Sequence, residues 1–129
     1  MERVDVNPWE WSIAFGYSQA VQVSGGGRVL FCAGQTATGP DGAPPETTDV
    51  GEQMMMAFAN LRTVLGAADM TIADIVRLTV YTTDVDGVLA SYGTATEALA
   101  PNLPAITLIG VSRLAFPELK IEIEATAVQ

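Results

Sequence analysis

The spacing of apolar positions divides the chain into stretches of period two and stretches of period 3.6. Residues 18–24, "SQAVQVS", alternate polar and apolar, which predicts a half-buried strand. "GGGR" follows as a tight connection, and "VLFCAGQ" (29–35) is a more buried strand, so the pair predicts a hairpin. Residues 36–48 are dense in Gly, Pro and Thr and predict a loop. From Asp49 the period changes. Asp49 with Glu52 forms a capping-box pattern, Val50, Met54, Phe58, Leu61 and Leu65 recur at helical spacing, and Gly66 supplies a stop. At most two of Met54, Met55 and Met56 can face the core on such a helix, filling gaps there.

The second half repeats the alternation of periods. Residues 72–85 are rich in β-branched side chains and predict a strand with Ile75, Leu78 and Val80 inward. Residues 87–100 predict a second helix, and Pro101 and Pro104 bound the next connection. Residues 105–114 predict a strand that is apolar on both faces until Ser112. In the last predicted strand, 119–128, Ile121, Ile123, Ala125 and Ala127 share one face, and Lys120, Glu122, Glu124 and Thr126 share the other. The order is β-β-α-β-α-β-β, with a short further strand at "RVDV".

Two helices cover only one face of such a sheet, which predicts an α+β fold with both helices on one side of a mixed sheet. The second face of strand 105–111 then needs another cover. A second copy of the chain is the simplest one, so a homo-oligomer is expected.

Composition narrows the chemistry. The 129 residues are 49% hydrophobic, enough for one well-packed domain spanning 1–129. Six basic residues stand against fifteen acidic ones, a net charge of −9, and the basic ones are scattered. No basic stripe exists to neutralise phosphates, so nucleic acid is a disfavoured partner. Histidine is absent, which removes the usual neutral-pH base and the commonest metal ligand. With Cys32 as the one cysteine, no metal site, no disulfide and no Ser-His or Cys-His device is expected. The first residues lack a signal-peptide pattern, and no apolar run reaches the ~20 residues of a membrane helix. A soluble, cytoplasmic protein is expected.

Several residues stand out against this background. Glu122 and Glu124 lie ~7 Å apart on one strand face, the arrangement of a two-carboxylate acid/base site. Most strand carboxylates only face water, unless an oligomer covers the face and carries one into a cleft. Arg113 can grip an anion or pair with Glu118, Glu122 or Glu124, and the pairing is the commoner use. In "NPWEWSIAFGY" the rings of Trp9, Trp11, Phe15 and Tyr17 crowd a loop-like segment. They either wall a pocket or staple the N-terminus to the domain. Cys32, in an apolar strand with no base available, reads as an inert thiol. "GGGR" and "GPDG" lack a strand-to-helix phosphate context and read as turns.

Taken in order, "GYSQAV", "AGQTA", "NLRTVLGAADM", "DIVRLTVYTTDVD" and "SRLAFPELKIEIEATAV" resemble the RidA family, also called the YjgF family, over residues 13–128. The resemblance implies a chorismate-mutase-like α+β fold, a homotrimer, and ligand clefts between subunits. It implies a small-molecule metabolite as partner, no cofactor, and hydrolysis of reactive enamines or imines to a 2-oxo acid and ammonia. Carried over by position, the family's tyrosine falls on Tyr17, its backbone-amide donor on Gly34, and its water-orienting glutamate on Glu122.

Departures follow from the same correspondence. Where active deaminases carry an arginine after "PA" to hold the substrate carboxylate, this chain has Ile106. The serine before "GQ" is Ala33, a small or thiol residue is Leu108, and the second-helix asparagine falls on Gly93. Arg113 matches a different arginine that active members also carry. Losing a charged contact costs ~2–5 kcal/mol, so 2-imino acids are expected to be poor substrates. The expected ligand is a less anionic, more apolar imine, enamine or related carbonyl compound, hydrolysed or tautomerised in a cleft lined by Ile106, Leu108, Tyr17 and Trp9 or Trp11. A non-catalytic metabolite-binding or scaffold trimer is the alternative, and an endoribonuclease or translation inhibitor stands behind both.

Overall fold

The computed structural model describes all of residues 1–129. Four strands form the main sheet in the order β3-β6-β4-β5: β3 is Val29–Gln35, β4 Ile75–Thr82, β5 Ala105–Gly110 and β6 Ile121–Val128. β3, β6 and β4 run antiparallel, and β5 lies parallel to β4. The helix α2 (Val50–Ala67) packs on β6 and β3, and the shorter α3 (Val85–Ala90) and α4 (Tyr92–Leu99) pack beside it. This is the expected mixed α+β sheet with helices on one face.

The core lies between α2 and the sheet. Met54, Phe58, Leu61 and Leu65 line one stripe of α2 and meet Ile75, Leu78, Val80, Ile121, Ile123 and Ala125, all buried. The expected inward residues are therefore the observed ones, with Met54 buried and Met55 and Met56 outside. Gln53 is the buried polar residue of this stripe. Its amide donates to Thr47 O and Glu118 O, both at 2.9 Å, and its Oε1 accepts from Lys120 N at 2.8 Å, tying α2 to the start of β6.

Element boundaries differ from the expected ones where capping chemistry overrides apolar periodicity. The predicted strand 72–85 begins at Ile75, because Asp74 accepts from Thr71 N at 2.8 Å and folds 72–74 into a 3₁₀ turn. It ends at Thr82, because Asp84 caps α3 by accepting from Gly87 N at 2.9 Å. The predicted second helix is two helices broken at Ser91, in a stretch weakened by Gly93, Thr94 and Thr96. α2 does not stop at Gly66 but runs to Ala67, and the left-handed residue that turns the chain away is Asp69 (φ 55°). The final two strands are trimmed to 105–110 and 121–128.

The predicted hairpin between residues 18–24 and 29–35 is not formed. β2 (Ala20–Ser24) pairs instead with β1 (Glu2–Val6), the expected "RVDV" strand, in a separate two-stranded ribbon. Gly25 (φ 68°) and two further glycines turn the chain out of the sheet, leaving β3 to pair with β6. The ribbon runs across the ends of the main strands. Arg3 fastens it, donating to Ile75 O at 3.0 Å, Leu103 O at 2.9 Å and Ala73 O at 3.3 Å. At the far end Ser18 N donates to Pro104 O at 3.0 Å and makes a parallel bridge to Ala105. The ribbon thereby delivers the aromatic segment between β1 and β2 to the edge strand β5.

Candidate functional site

Within the loop-like aromatic segment, residues Trp11–Ala14 form one helical turn, α1. Asn7 ties the segment's two ends, its Oδ1 accepting from Gln19 N at 2.8 Å. Gly16 ends the turn at φ 80°, and a Cβ there would meet the Thr96 side chain at 2.8 Å, so glycine lets the segment lie against α4. The result places Trp11, Phe15 and Tyr17 around a cavity with Tyr92 of α4. Its floor is Ile106 and Leu108 of β5, with Leu89 beside them, and its volume is about 320 Å³. Trp11 stands edge-to-face with both Phe15 and Tyr17, ring centroids 6.2 and 6.0 Å apart.

No charged residue lines this cavity. Its side-chain polar groups are the Tyr17 and Tyr92 hydroxyls and the Trp11 indole N–H, none of which meets a partner within the chain. Burial holds the Tyr92 phenol above its ordinary value near 10, with the neighbouring Tyr17 adding to the shift. Of the two readings open for the aromatic segment, the pocket wall is the observed one for Trp11, Phe15 and Tyr17. Trp9 does not line the cavity; it precedes the helical turn that carries Trp11.

Another cluster forms on the opposite face of the sheet. The register makes the separation explicit: Leu108 pairs with Val80 and Val80 with Ile123, while Ile109, Tyr81 and Glu122 form the adjacent row. Adjacent rows point to opposite faces, so Glu122 and Leu108 lie on opposite sides. The β3–β6 register shifts between Cys32 and Gln35, a bulge that takes Ala33 and Gly34 out of the ladder. The Glu122 side chain lies directly over Gly34. A Cβ at position 34 would sit 2.6 Å from the carboxylate carbon and 2.9 Å from Cγ, so only glycine fits under it.

The two strand carboxylates are not equivalent. Glu124 accepts the Tyr81 hydroxyl at 2.6 Å, and this bond is the main reason the Tyr81 phenol is held above its usual value. Glu122 has no side-chain partner in the chain, which leaves its oxygens open to a water or ligand.

Arg113 belongs to neither cluster. β5 ends at Gly110, Arg113 lies exposed in the following loop, and its Nε donates to Leu114 O at 3.2 Å. The expected pairing with Glu118, Glu122 or Glu124 is not made, and the one ion pair in the chain is Arg3–Asp5 at 3.2 Å. Cys32 is buried among apolar neighbours, which raises its thiol pKa and suits an inert role. Tyr92 and the bulge at Ala33–Gly34 had no signal in the apolar pattern. Tyr92 follows the unforeseen helix break, and the bulge breaks the register without interrupting the apolar run.

Residues 11–129 match the family model described as Endoribonuclease L-PSP. The chain belongs to this family, the RidA or YjgF family. Among RidA relatives, the mitochondrial protein mmf2 of Schizosaccharomyces pombe is 31% identical over 131 residues, covering 100% of both chains. The 2-iminobutanoate/2-iminopropanoate deaminase of Escherichia coli is 32% identical over 117 residues, covering 88% of this chain and 87% of that protein. Among solved structures, the Rid-family protein YyfB of Yersinia pestis is 37% identical, covers 100% of both chains, and superposes with a TM-score of 0.88. The RidA-type α+β fold is thus shared along the full length. No helix is long and apolar enough to cross a membrane.

Proposed function

We propose that the protein is a RidA-type hydrolase of a reactive imine or enamine, with specificity turned away from 2-imino acids. It acts in the cytoplasm as a homotrimer, in clefts where the aromatic cavity of one subunit meets the Glu122–Gly34 cluster of the next. The observation that carries this reading is the split itself. Each chain holds an apolar pocket without an acid or base and, across the sheet, an unpartnered carboxylate without a pocket. A neighbouring copy supplies the missing half of each.

In that cleft Glu122 orients a water toward the imine carbon, the Tyr17 hydroxyl oxygen holds the substrate nitrogen, and the Gly34 N–H donates to the oxygen that adds to the carbon. Water adds to the carbon, the C–N bond breaks, and a carbonyl compound and ammonia leave. Ile106 stands where the active deaminases grip a carboxylate, and with Leu108 it makes an apolar floor that holds an apolar group instead. No residue here demands a cofactor.

A metabolite-binding trimer without turnover would use the same cavity, because none of its walls is an acid or base. A Glu122→Ala variant separates the two. Ligands found by thermal shift should be turned over by the wild type with release of ammonia, and the variant should bind them equally but lose turnover about 10²–10⁴-fold. Binding without turnover in the wild type would leave the binding protein standing and remove the hydrolase. The family model's description names an endoribonuclease. A chain of net charge −9 without histidine offers neither a phosphate grip nor a neutral-pH base for that reaction.

A further inference from the structure

The cavity over β5 is walled by four aromatic rings and has no counter-ion. We infer that its ligand is a small organic cation lacking a carboxylate: a protonated iminium, R₂C=NH₂⁺, whose substituents are branched or aryl. This inference rests on the hydrolase reading and specifies its substrate class.

Three features favour a cation over a neutral ligand of the same shape. Trp11, Phe15, Tyr17 and Tyr92 are four aromatic rings at one small site. Trp11 lies at interplanar angles of 74° and 79° to Phe15 and Tyr17, so it stands upright to both rather than stacking on either. Ring faces carry the negative part of the aromatic quadrupole, and cations are held against them. The net charge of −9 adds a field that draws cations and repels anions. Lys, Arg and His are all missing from the walls, so no group welcomes a carboxylate. The burial of Tyr92 keeps its phenol neutral, and the unpartnered Tyr92 and Tyr17 oxygens can accept the N–H groups of an iminium. Ile106, Leu108 and Leu89 offer hydrocarbon to its substituents.

The chemistry is consistent with this charge. Water oxygen bonds to the iminium carbon as the C=N π pair moves to nitrogen. One proton then passes from the added oxygen to nitrogen, and a second passes to Glu122 of the neighbouring copy. The C–N bond breaks toward nitrogen, releasing R₂C=O and NH₃, which takes the proton back from Glu122, so that R₂C=NH₂⁺ and H₂O give R₂C=O and NH₄⁺. Atoms and charge balance, and neither an oxidant nor a reductant is needed.

The test isolates charge at constant shape. Choline, its neutral isostere 3,3-dimethylbutan-1-ol, and the anion 3,3-dimethylbutanoate are titrated calorimetrically into the intact assembly and into a Trp11→Leu variant. Trp11 is 55% exposed, and a thermal melt checks that its replacement leaves the fold intact. Choline should bind about tenfold more tightly than the alcohol, and the acid more weakly than either. In Trp11→Leu the preference for choline should fall to about twofold or less. Equal or tighter binding of the alcohol overturns the cation while leaving an apolar-substrate hydrolase intact. Tightest binding of the acid overturns both readings. Absence of binding by all three probes overturns the aromatic box as a ligand site, and the Glu122→Ala experiment then judges the hydrolase separately.

Discussion

Leu108, Val80 and Ile123 form a row across three strands, and their neighbours Ile109, Tyr81 and Glu122 form the next row, pointing the other way. The Leu108 row faces the core and the aromatic cavity, where no charge is found. The Glu122 row faces away from the helices, on the side that also carries Glu124. On the proposed reading one face binds and the other holds the charge for chemistry, separated by the thickness of one sheet. Strand pleating enforces that separation, because a one-residue step along β6 changes the face. The proposed site is therefore complete only where such a chain meets another copy.

The largest effect tests the charged face. Gly34→Ala puts a methyl group where the Glu122 carboxylate lies, and the side chain must leave. Turnover should fall about as far as in Glu122→Ala, ~10²-fold or more, while ligand affinity of the aromatic cavity stays within about twofold. Ammonia release and calorimetry on the same preparation read the two faces separately. Full activity in Gly34→Ala would mean that Glu122 does not hold the water where it rests over Gly34.

Reversing the cavity's character should have a smaller effect, with a gain rather than a loss. Ile106→Arg places a guanidinium on the floor of an apolar cavity, available for a bidentate pair with a carboxylate. Hydrolysis of fresh 2-iminopropanoate should rise about 10–100-fold, the worth of a charged hydrogen-bonded contact, and choline binding should weaken. No gain, in a variant that still folds, would show that Ile106 alone does not set the difference from carboxylate-binding relatives.

These two variants also mark what the chain reveals of itself without a structure. The inward residues were legible because Leu78, Val80, Ile121 and Ile123 follow the strand period, and Met54, Phe58, Leu61 and Leu65 the helical one, while Ile75 joins them through a register shift between Ile75 and Arg77. Ile106 stood out because a family pattern has an arginine there. The partnering of the early strands was not legible, since alternation in β2 states only that one face is buried, not against which strand. Adjacent strands often pair, yet three glycines allowed this chain to leave the sheet and run across its end. The difference between Glu122 and Glu124 was equally hidden. It depends on Tyr81, forty-three residues from Glu124 in the chain and its neighbour only through the β4–β6 register.

The ribbon offers a third way to set the two faces against each other. Arg3 holds it with three backbone carbonyls, and the ribbon in turn carries the segment with Trp11 and Tyr17. Arg3→Ala should destabilise the chain by about 1–2 kcal/mol, the net value of partly exposed charged hydrogen bonds. Hydrogen exchange should quicken in residues 1–24, and cavity affinity should drop with it, while β6 and its Glu122 keep their protection. Uniform loss of protection would show that the ribbon and the main sheet unfold as one unit.

The smallest effect is a titration that reports on both faces at once. Tyr92 on the cavity side is held above the ordinary tyrosine value near 10 chiefly by burial, and Tyr81 on the other side chiefly by its hydrogen bond to Glu124. A folded-state pKa raised above the unfolded one favours the protonated form. The stabilisation is therefore complete below pH 10 and is lost as pH rises through the folded value. Phenolate absorbance should show late-ionising components from Tyr81 and Tyr92. Glu124→Gln replaces the charged acceptor, so the Tyr81 component should move down while that of Tyr92 stays in place. Tyr81→Phe should remove the same component altogether. A Glu124→Gln curve that superposes on the wild type would mean that the carboxylate does not hold the Tyr81 proton, and that Glu124, like Glu122, is free for other work.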